Sequence, residues 1–247
     1  MVKKLMKHEL RALFRALLYS GVVALLITAL GCLFVLGDPN SAAGTFFSVM
    51  GMYMAVIVFA MAFIVSVSQF GRSLFTGEGY MTFSLPVTPT QLLLAKMLSA
   101  IIASIFGFAV ALLCFYMAFG ALGGLEVLGN LFEQIGMIIT ENPGIATEYI
   151  IMMIVSIPMG LLFFYLILAV GQLFTKARKG ATFGVGIAAF VVLSLFEMLA
   201  WNPLINVIVD WNIHFALWFQ TFIYLGVEVG IFFLIRHILI HKVNLLV

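Results

Sequence analysis

The sequence predicts an all-α membrane protein, a bundle of six transmembrane helices preceded by an amphipathic interfacial helix, with both termini in the cytoplasm. Three observations predict this fold class. Of the 247 residues, 64% are hydrophobic and only 9% are charged, whereas soluble domains carry about 25% charged residues. Apolar stretches long enough to cross a hydrocarbon layer of about 30 Å recur along the whole chain. Finally, Lys and Arg are confined to alternate connections between these stretches, which is the pattern of cytoplasmic loops.

Hydropathy places the spans within a single transmembrane domain that covers residues 1–247. The predicted spans are residues 16–36, 46–68, 97–121, 150–174, 180–200 and 214–235. With this assignment all 12 Lys and Arg residues fall on one side of the membrane. Because the bias of basic residues toward the cytoplasm sets orientation, the N-terminus and the C-terminus are both predicted to be cytoplasmic.

The segment before the first span, residues 1–15, is predicted to be an amphipathic helix on the membrane surface. A basic stripe recurs every four residues and consists of Lys3, Lys7, Arg11 and Arg15. Met6, Leu10 and Leu13 lie on the opposed face. Such a helix suits an anionic lipid surface. The alternative is that these basic residues only set the orientation of the chain, and the two interpretations are compatible.

The connection between spans two and three, residues 69–96, is the most polar internal stretch on the predicted cytoplasmic side. Its length exceeds the two to eight residues that usually join bundle helices. Thr88, Pro89 and Gln91 form a helix start, with Thr as the cap, Pro at the first position and Gln three residues after the cap. We therefore expect the third helix to begin near Pro89. We also expect the connection to dock against another surface; the alternative is a plain connecting loop.

The stretch at residues 75–87, FTGEGYMTFSLPV, resembles a segment of short bacterial permease subunits of type-2 ABC transporters, and the six spans and basic N-terminal helix fit that family. In the family this connection couples the permease to a separate ATP-binding subunit. The resemblance therefore implies a coupling site made of Arg72, Phe75, Glu78, Gly79, Tyr80, Phe83 and Pro86. It also implies a bacterial plasma (inner) membrane location and a second permease chain, identical or paralogous. This chain would bind no cofactor, since ATP and Mg would be held by the partner subunit, and no nucleic acid is implied as a partner.

Glu228 is an acidic residue well inside the sixth span, at a G-x-x-x-G spacing formed by Gly226 and Gly230. A charge at membrane depth costs about 2.5–3.5 kcal/mol on insertion scales, so such residues are functional candidates. The functional interpretation is a gating contact at a helix or dimer interface. The alternative is a protonated glutamate with a packing role only.

Enzymatic chemistry is not predicted for this chain. It contains no G-x-x-x-x-G-K-[ST] phosphate loop, no H-E-x-x-H zinc motif and no G-x-S-x-G nucleophile elbow, so no catalytic or metal-binding residue is assigned.

The outer connection, residues 122–149, has apolar residues at helical spacing and is predicted to hold an amphipathic helix. Two alternatives to the permease remain: a substrate-binding membrane subunit of an energy-coupling-factor importer, and a non-transporting immunity or scaffold protein.

Overall fold

The computed structural model describes residues 2–38, 40–75, 87–174 and 178–241. Within these ranges the chain forms eight α-helices and no strand. The helices are α1 (Val2–Gly37), α2 (Ala42–Phe75), α3 (Pro89–Ala121), α4 (Leu125–Glu141), α5 (Pro143–Gly171), α6 (Arg178–Phe196), α7 (Asn202–Trp211) and α8 (Ile213–His241).

Six helical segments are long and apolar enough to cross a membrane, which confirms the predicted fold class. These segments are Leu5–Gly37, Ala42–Phe75, Pro89–Ala121, Pro143–Gly171, Gly180–Trp211 and Ile213–His241. Each predicted span lies within or overlaps one of them, but the helices extend beyond the hydropathy limits. Hydropathy marks where a helix is apolar enough for lipid, whereas helix ends are set by caps and turns.

The chain divides into two compact units, the first made of Met1–Gln69 and Leu98–Ile138, the second of Phe70–Met97 and Ile139–Val247. The unit boundaries fall inside helices α2, α3 and α4. The predicted organisation as a single transmembrane domain stays a prediction.

Helix α1 runs without interruption from Val2 to Gly37. Residues 3–15 therefore continue into the first span without a break. A helix of 36 residues is about 54 Å long at 1.5 Å per residue, well beyond the roughly 30 Å of a hydrocarbon layer. Part of α1 therefore extends outside any membrane that it crosses.

In the first unit, α1 and α2 form an antiparallel pair with closely approaching backbones. Small residues line the contact: a Cβ atom built on Gly31 would lie 2.6 Å from the backbone nitrogen of Ser48, and one on Gly51 would lie 2.5 Å from Thr28 Oγ1. Moving three residues back along α1, from Gly31 to Thr28, moves the contact three residues forward along α2, from Ser48 to Gly51. Close approach through small residues is the usual mode of helix association in membranes, where lipid removes the hydrophobic driving force.

Helix α3 packs against this pair through another small residue. A Cβ atom on Gly107 would lie 2.6 Å from the Cβ of Ala62 in α2. Two clusters of buried residues from α1, α2 and α3 also hold these helices together. One contains Leu13, Leu17, Ala62 and Ala103, and the other contains Ala24, Ala55, Val58, Ala111 and Cys114.

Between the third and fourth spanning helices the chain turns at Gly123, whose φ of 74° lies in the left-handed region that glycine tolerates. Helix α4 follows, so the connection predicted to lie outside the membrane is largely helical. Two of its apolar side chains, Phe132 and Ile138, are more than half exposed. Helix α5 then begins with Pro143 in its first turn, where the missing N–H of proline carries no cost.

In the second unit, a π-helical turn at Glu197–Trp201 joins α6 to α7. The backbone N–H of Asn202 bonds the carbonyl of Glu197, five residues earlier, which is the π-helical spacing. Helix α7 is thus a helical continuation of α6, and together they form the segment Gly180–Trp211. Asn212 then reverses the chain and caps α8 by accepting a hydrogen bond from the backbone N–H of Phe215 at 3.1 Å.

Candidate functional site

The two helix ends that border residues 76–88 are anchored in a buried core of the second unit. At the end of α2, Phe70 is 1% exposed and its ring stacks on Tyr165 of α5 with 3.9 Å between ring centroids. Leu74 beside it is fully buried. At the start of α3, Leu92 and Leu93 are also buried. Both ends of the predicted coupling connection are therefore held against α5 or within the core.

The predicted helix start at Thr88 is confirmed as a capping box. The backbone N–H of Gln91 donates to Thr88 Oγ1 at 3.3 Å, and the backbone N–H of Thr88 donates to Gln91 Oε1 at 3.4 Å. This reciprocal pair satisfies two of the N–H groups that a helix start leaves open. Helix α3 begins at Pro89, as predicted, so the connection 69–96 is mostly helical at both ends.

Lys96 is not a loop charge but a buried residue of α3. Its side chain is 3% exposed, and its Nζ donates a hydrogen bond to Ser73 Oγ of α2 at 2.6 Å. Lysine is rarely buried to this extent unless its ammonium group has acceptors. The contact ties the last turns of α2 to the first turns of α3, eight residues inside the helix start.

Of the predicted coupling residues, the structure describes Arg72 and Phe75. Arg72 is exposed, and Phe75 is half-buried against Phe70, with 5.9 Å between the ring centroids. The other predicted coupling residues, Glu78, Gly79, Tyr80, Phe83 and Pro86, lie outside the described residues. Their role stays a prediction.

The amphipathic pattern of residues 3–17 is confirmed. The four members of the basic stripe, Lys3, Lys7, Arg11 and Arg15, are all exposed. On the opposed face, Leu13 and Leu17 are buried and pack on Ala62 and Ala103. This part of the apolar face is thus covered by α2 and α3 rather than left for lipid. Contact of the basic stripe with a membrane surface stays a prediction.

Glu228 and the two glycines near it lie on different faces of α8. Residues two positions apart are separated by about 200° around a helix, so Gly226 and Gly230 face away from Glu228. A Cβ atom built on either glycine meets nothing within 4 Å. No described helix of this chain therefore approaches the two glycines, and their role at a helix or dimer interface with Glu228 stays a prediction. An approach by a second chain stays a prediction.

Glu228 instead faces α5. Its carboxyl lies at the backbone of Met159, and its Oε1 is buried with no hydrogen-bond partner in the described part of the chain. Thr221 and Ile235, seven residues before and after it, are buried on the same face of α8. Glu228 is thus inside the α5–α8 contact rather than at an outer surface of the helix.

A second polar contact joins α5 to α8 near the start of both helices. Glu148 Oε2 lies 2.8 Å from His214 Nδ1, and the indole N–H of Trp218 donates to Glu148 Oε1 at 3.0 Å. The next contact is between Met159 and Glu228. Met159 lies eleven residues after Glu148 on α5, and Glu228 lies ten residues after Trp218 on α8. Contacts that advance in the same direction along both helices mean that α5 and α8 run parallel. The fourth and sixth spans of a membrane protein cross the membrane in the same direction, so the parallel orientation agrees with this numbering of the spans.

No protein-family model, no curated protein and no solved structure matches this chain. The resemblance to type-2 ABC permeases therefore rests on the sequence alone and is carried forward as a proposal.

Three features of these sites had no clear signal in the sequence. Lys96 falls within the predicted connection 69–96, and His214 is a single histidine at the predicted start of the sixth span. Pro158 lies inside α5, where it interrupts the helical hydrogen bonding, but its level relative to Glu228 depends on the register of two helices about 70 positions apart in the sequence. Helical periodicity reports which residues share a face, and it does not report which helix covers that face.

Proposed function

We propose that this chain is the membrane-spanning permease subunit of an ATP-driven ABC exporter in a bacterial plasma membrane. A separate nucleotide-binding subunit would hydrolyse ATP, and two permease chains would form the translocation path. Six spanning helices and the absence of a phosphate loop from the sequence support this division of labour. The assignment to the type-2 ABC permease family in this proposal rests on the resemblance of residues 75–87 to permease subunits.

The observation that carries the proposal is the construction of the helix ends around residues 76–88. A loop that transmits movement between two proteins must be joined to rigid elements, since a loose joint would absorb the movement. The stacked rings of Phe70 and Tyr165, the buried Lys96–Ser73 hydrogen bond and the capping box at Thr88 provide such a base. Burial of a lysine is costly, and a simple connector would have no need for it.

Three surfaces of the chain have separate roles in such a permease. The coupling site, from Arg72 to Pro86, contacts the ATP-binding subunit. The exposed basic stripe of α1 faces the cytoplasmic surface, because the positive-inside pattern places both termini there. The open face of α8 at Gly226 and Gly230 is available to the second permease chain, since small residues allow helices to approach closely.

The first test is recovery of partners from native membranes. The tagged full-length chain is purified in mild detergent, and the proteins that accompany it are identified by mass spectrometry. We expect an ATP-binding cassette subunit, and we expect Glu78→Arg and Gly79→Trp to remove it or to uncouple its ATP hydrolysis while membrane insertion is unchanged. Glu133→Arg, in helix α4, is the matched control and should retain the partner.

Two outcomes would contradict the proposal. One is the absence of any ATP-binding subunit under conditions that preserve other membrane complexes, which would favour a non-transporting membrane protein. The other is normal partner binding and normal substrate export in the Glu78→Arg and Gly79→Trp variants, which would remove the coupling role from this segment.

A further inference from the structure

Pro158 leaves a gap in the backbone hydrogen bonding of α5. It lies inside the helix Pro143–Gly171, and because proline has no N–H, the carbonyl of Ile154 lacks its usual donor four residues later. A spanning helix tolerates proline when a neighbouring helix, a side chain or a water satisfies the freed backbone group. The surroundings of Pro158 should therefore contain a donor.

Glu228 of α8 lies at this level of α5. Its carboxyl faces the backbone of Met159, the residue directly after Pro158. In a helix the carbonyl of residue i points toward the nitrogen of residue i+4, so the open carbonyl of Ile154 points toward Pro158, the residue next to Met159. The buried Oε1 of Glu228 has no partner among the described residues.

The described groups around Glu228 include no cation that would neutralise it. Helix α5 contains no Lys, Arg or His, and its ionisable side chains, Glu148, Tyr149 and Tyr165, lie one or more turns away along the helix. On α8 itself, Tyr224 is one turn before Glu228. Arg236 is eight residues after it, which is about 12 Å along the axis. Because Oε1 is buried and no described counter-charge is near it, the neutral form of this carboxyl is favoured, and in that form its O–H is a hydrogen-bond donor.

We propose that Glu228 is an intramembrane proton-binding site that joins α8 to the proline break of α5. The protonated carboxyl donates its O–H to the open carbonyl of Ile154, and its other oxygen accepts from the Met159 backbone N–H. The ligand is a single proton, and its loss would leave both a bare carboxylate and an open carbonyl in the α5–α8 contact. The site therefore makes the packing of these two parallel helices depend on one proton. This inference does not depend on an ATP-binding partner.

Infrared spectroscopy tests the protonation directly. The full-length chain is placed in lipid nanodiscs at neutral pH, with glutamate labelled by carbon-13, and spectra are compared in H₂O and D₂O. We expect the wild type to show the carbonyl stretch of a protonated glutamic acid, and we expect Glu228→Gln to lack it. Glu197→Gln is the matched control, because Glu197 lies in the neighbouring spanning segment Gly180–Trp211 but is exposed, and this variant should retain the band.

A double-mutant cycle tests the partnership with the proline break. Pro158→Ala restores an N–H that can serve the Ile154 carbonyl, so Glu228 is no longer needed there. We expect Glu228→Leu to lower the unfolding temperature of the otherwise unchanged chain and to have a clearly smaller effect in the Pro158→Ala background. Glu228→Gln retains a donor and should stay close to the wild type.

The proposal is overturned if Glu228→Gln removes no protonated-acid band from the spectrum. It is equally overturned if Glu228→Leu unfolds at or above the wild-type temperature, or if the effect of Glu228→Leu is the same with and without Pro158. Should Glu228→Leu fail to fold, the infrared comparison still decides the question, because Glu228→Gln preserves the shape and polarity of the side chain.

Discussion

Replacement of Gly31 by alanine should separate α1 from α2, because the contact at this glycine is between backbones. A Cβ atom at this position would lie 2.6 Å from the Ser48 nitrogen and 2.9 Å from the carbonyl carbon of Phe47. Ordinary contacts of a Cβ atom begin at 3.4 Å, so the helices must move apart by about 0.8 Å, the difference between 3.4 and 2.6 Å. Main-chain atoms cannot rotate away as a side chain does, and the same movement loosens the contacts at Thr28–Gly51 and Val35–Gly44.

The magnitude follows from two opposing effects. Overpacking of a well-packed contact costs about 1–3 kcal/mol, and the upper end applies here because backbone atoms are involved. Alanine regains up to about 1 kcal/mol over glycine in helix preference. The expected net loss in the free energy of unfolding is therefore about 2 kcal/mol, which lowers the unfolding temperature of a chain of this size by about 4–8 °C.

The assay is thermal unfolding of the purified chain in mild detergent, followed by circular dichroism. Gly21→Ala is the matched control on the same helix, because its Cβ would lie 3.5 Å from Val110 Cγ1, at an ordinary contact distance, and it should be neutral or stabilising. Combining Gly31→Ala with Ser48→Ala removes only the side-chain contact at 2.8 Å and should restore little. If Gly31→Ala unfolds at the same temperature as Gly21→Ala, the close backbone approach of α1 and α2 is refuted.

Three further changes test the other contacts by the same thermal assay. Thr88→Ala removes the cap of α3 and should cost about 1 kcal/mol, whereas Thr88→Ser should retain the stability; equal losses in both variants would contradict a capping role. Phe70→Ala removes a buried ring stacked on Tyr165 and should cost about 3–5 kcal/mol, and a loss below that of an exposed Phe132→Ala control would mean that this core does not hold the end of α2. Glu148→Ala removes the acceptor of two side-chain contacts and should cost about 1–2 kcal/mol and alter the fluorescence of Trp218. Glu141→Ala, an exposed glutamate of α4, should change neither, and an unaltered Trp218 emission in Glu148→Ala would show that the contact is absent in solution.

Much of the fold follows from local properties of the sequence. The number of spans is set by the transfer of apolar segments out of water, which is nearly additive along the chain, so hydropathy counts six without knowledge of any contact. The start of α3 was equally predictable, because the reciprocal bonds of Thr88 and Gln91 connect residues three positions apart. The exposed basic stripe of α1 follows from helical geometry alone.

The remaining features depend on which helix covers each face, and here the tertiary structure decides. Lys96 lies in the predicted connection 69–96, but its side chain is buried. Ser73, 23 positions away in the sequence, accepts a hydrogen bond from its ammonium group inside the core. The carboxyl of Glu228 lies at the backbone of Met159 in α5, and the G-x-x-x-G spacing around Glu228 does not report this contact between residues 69 positions apart. The physical reason is that lipid and protein interior are similarly apolar, so a spanning helix shows no hydrophobic contrast that marks its buried side. The sequence by itself determined which segments can cross the membrane. Only the tertiary structure determined which side chains meet between the helices.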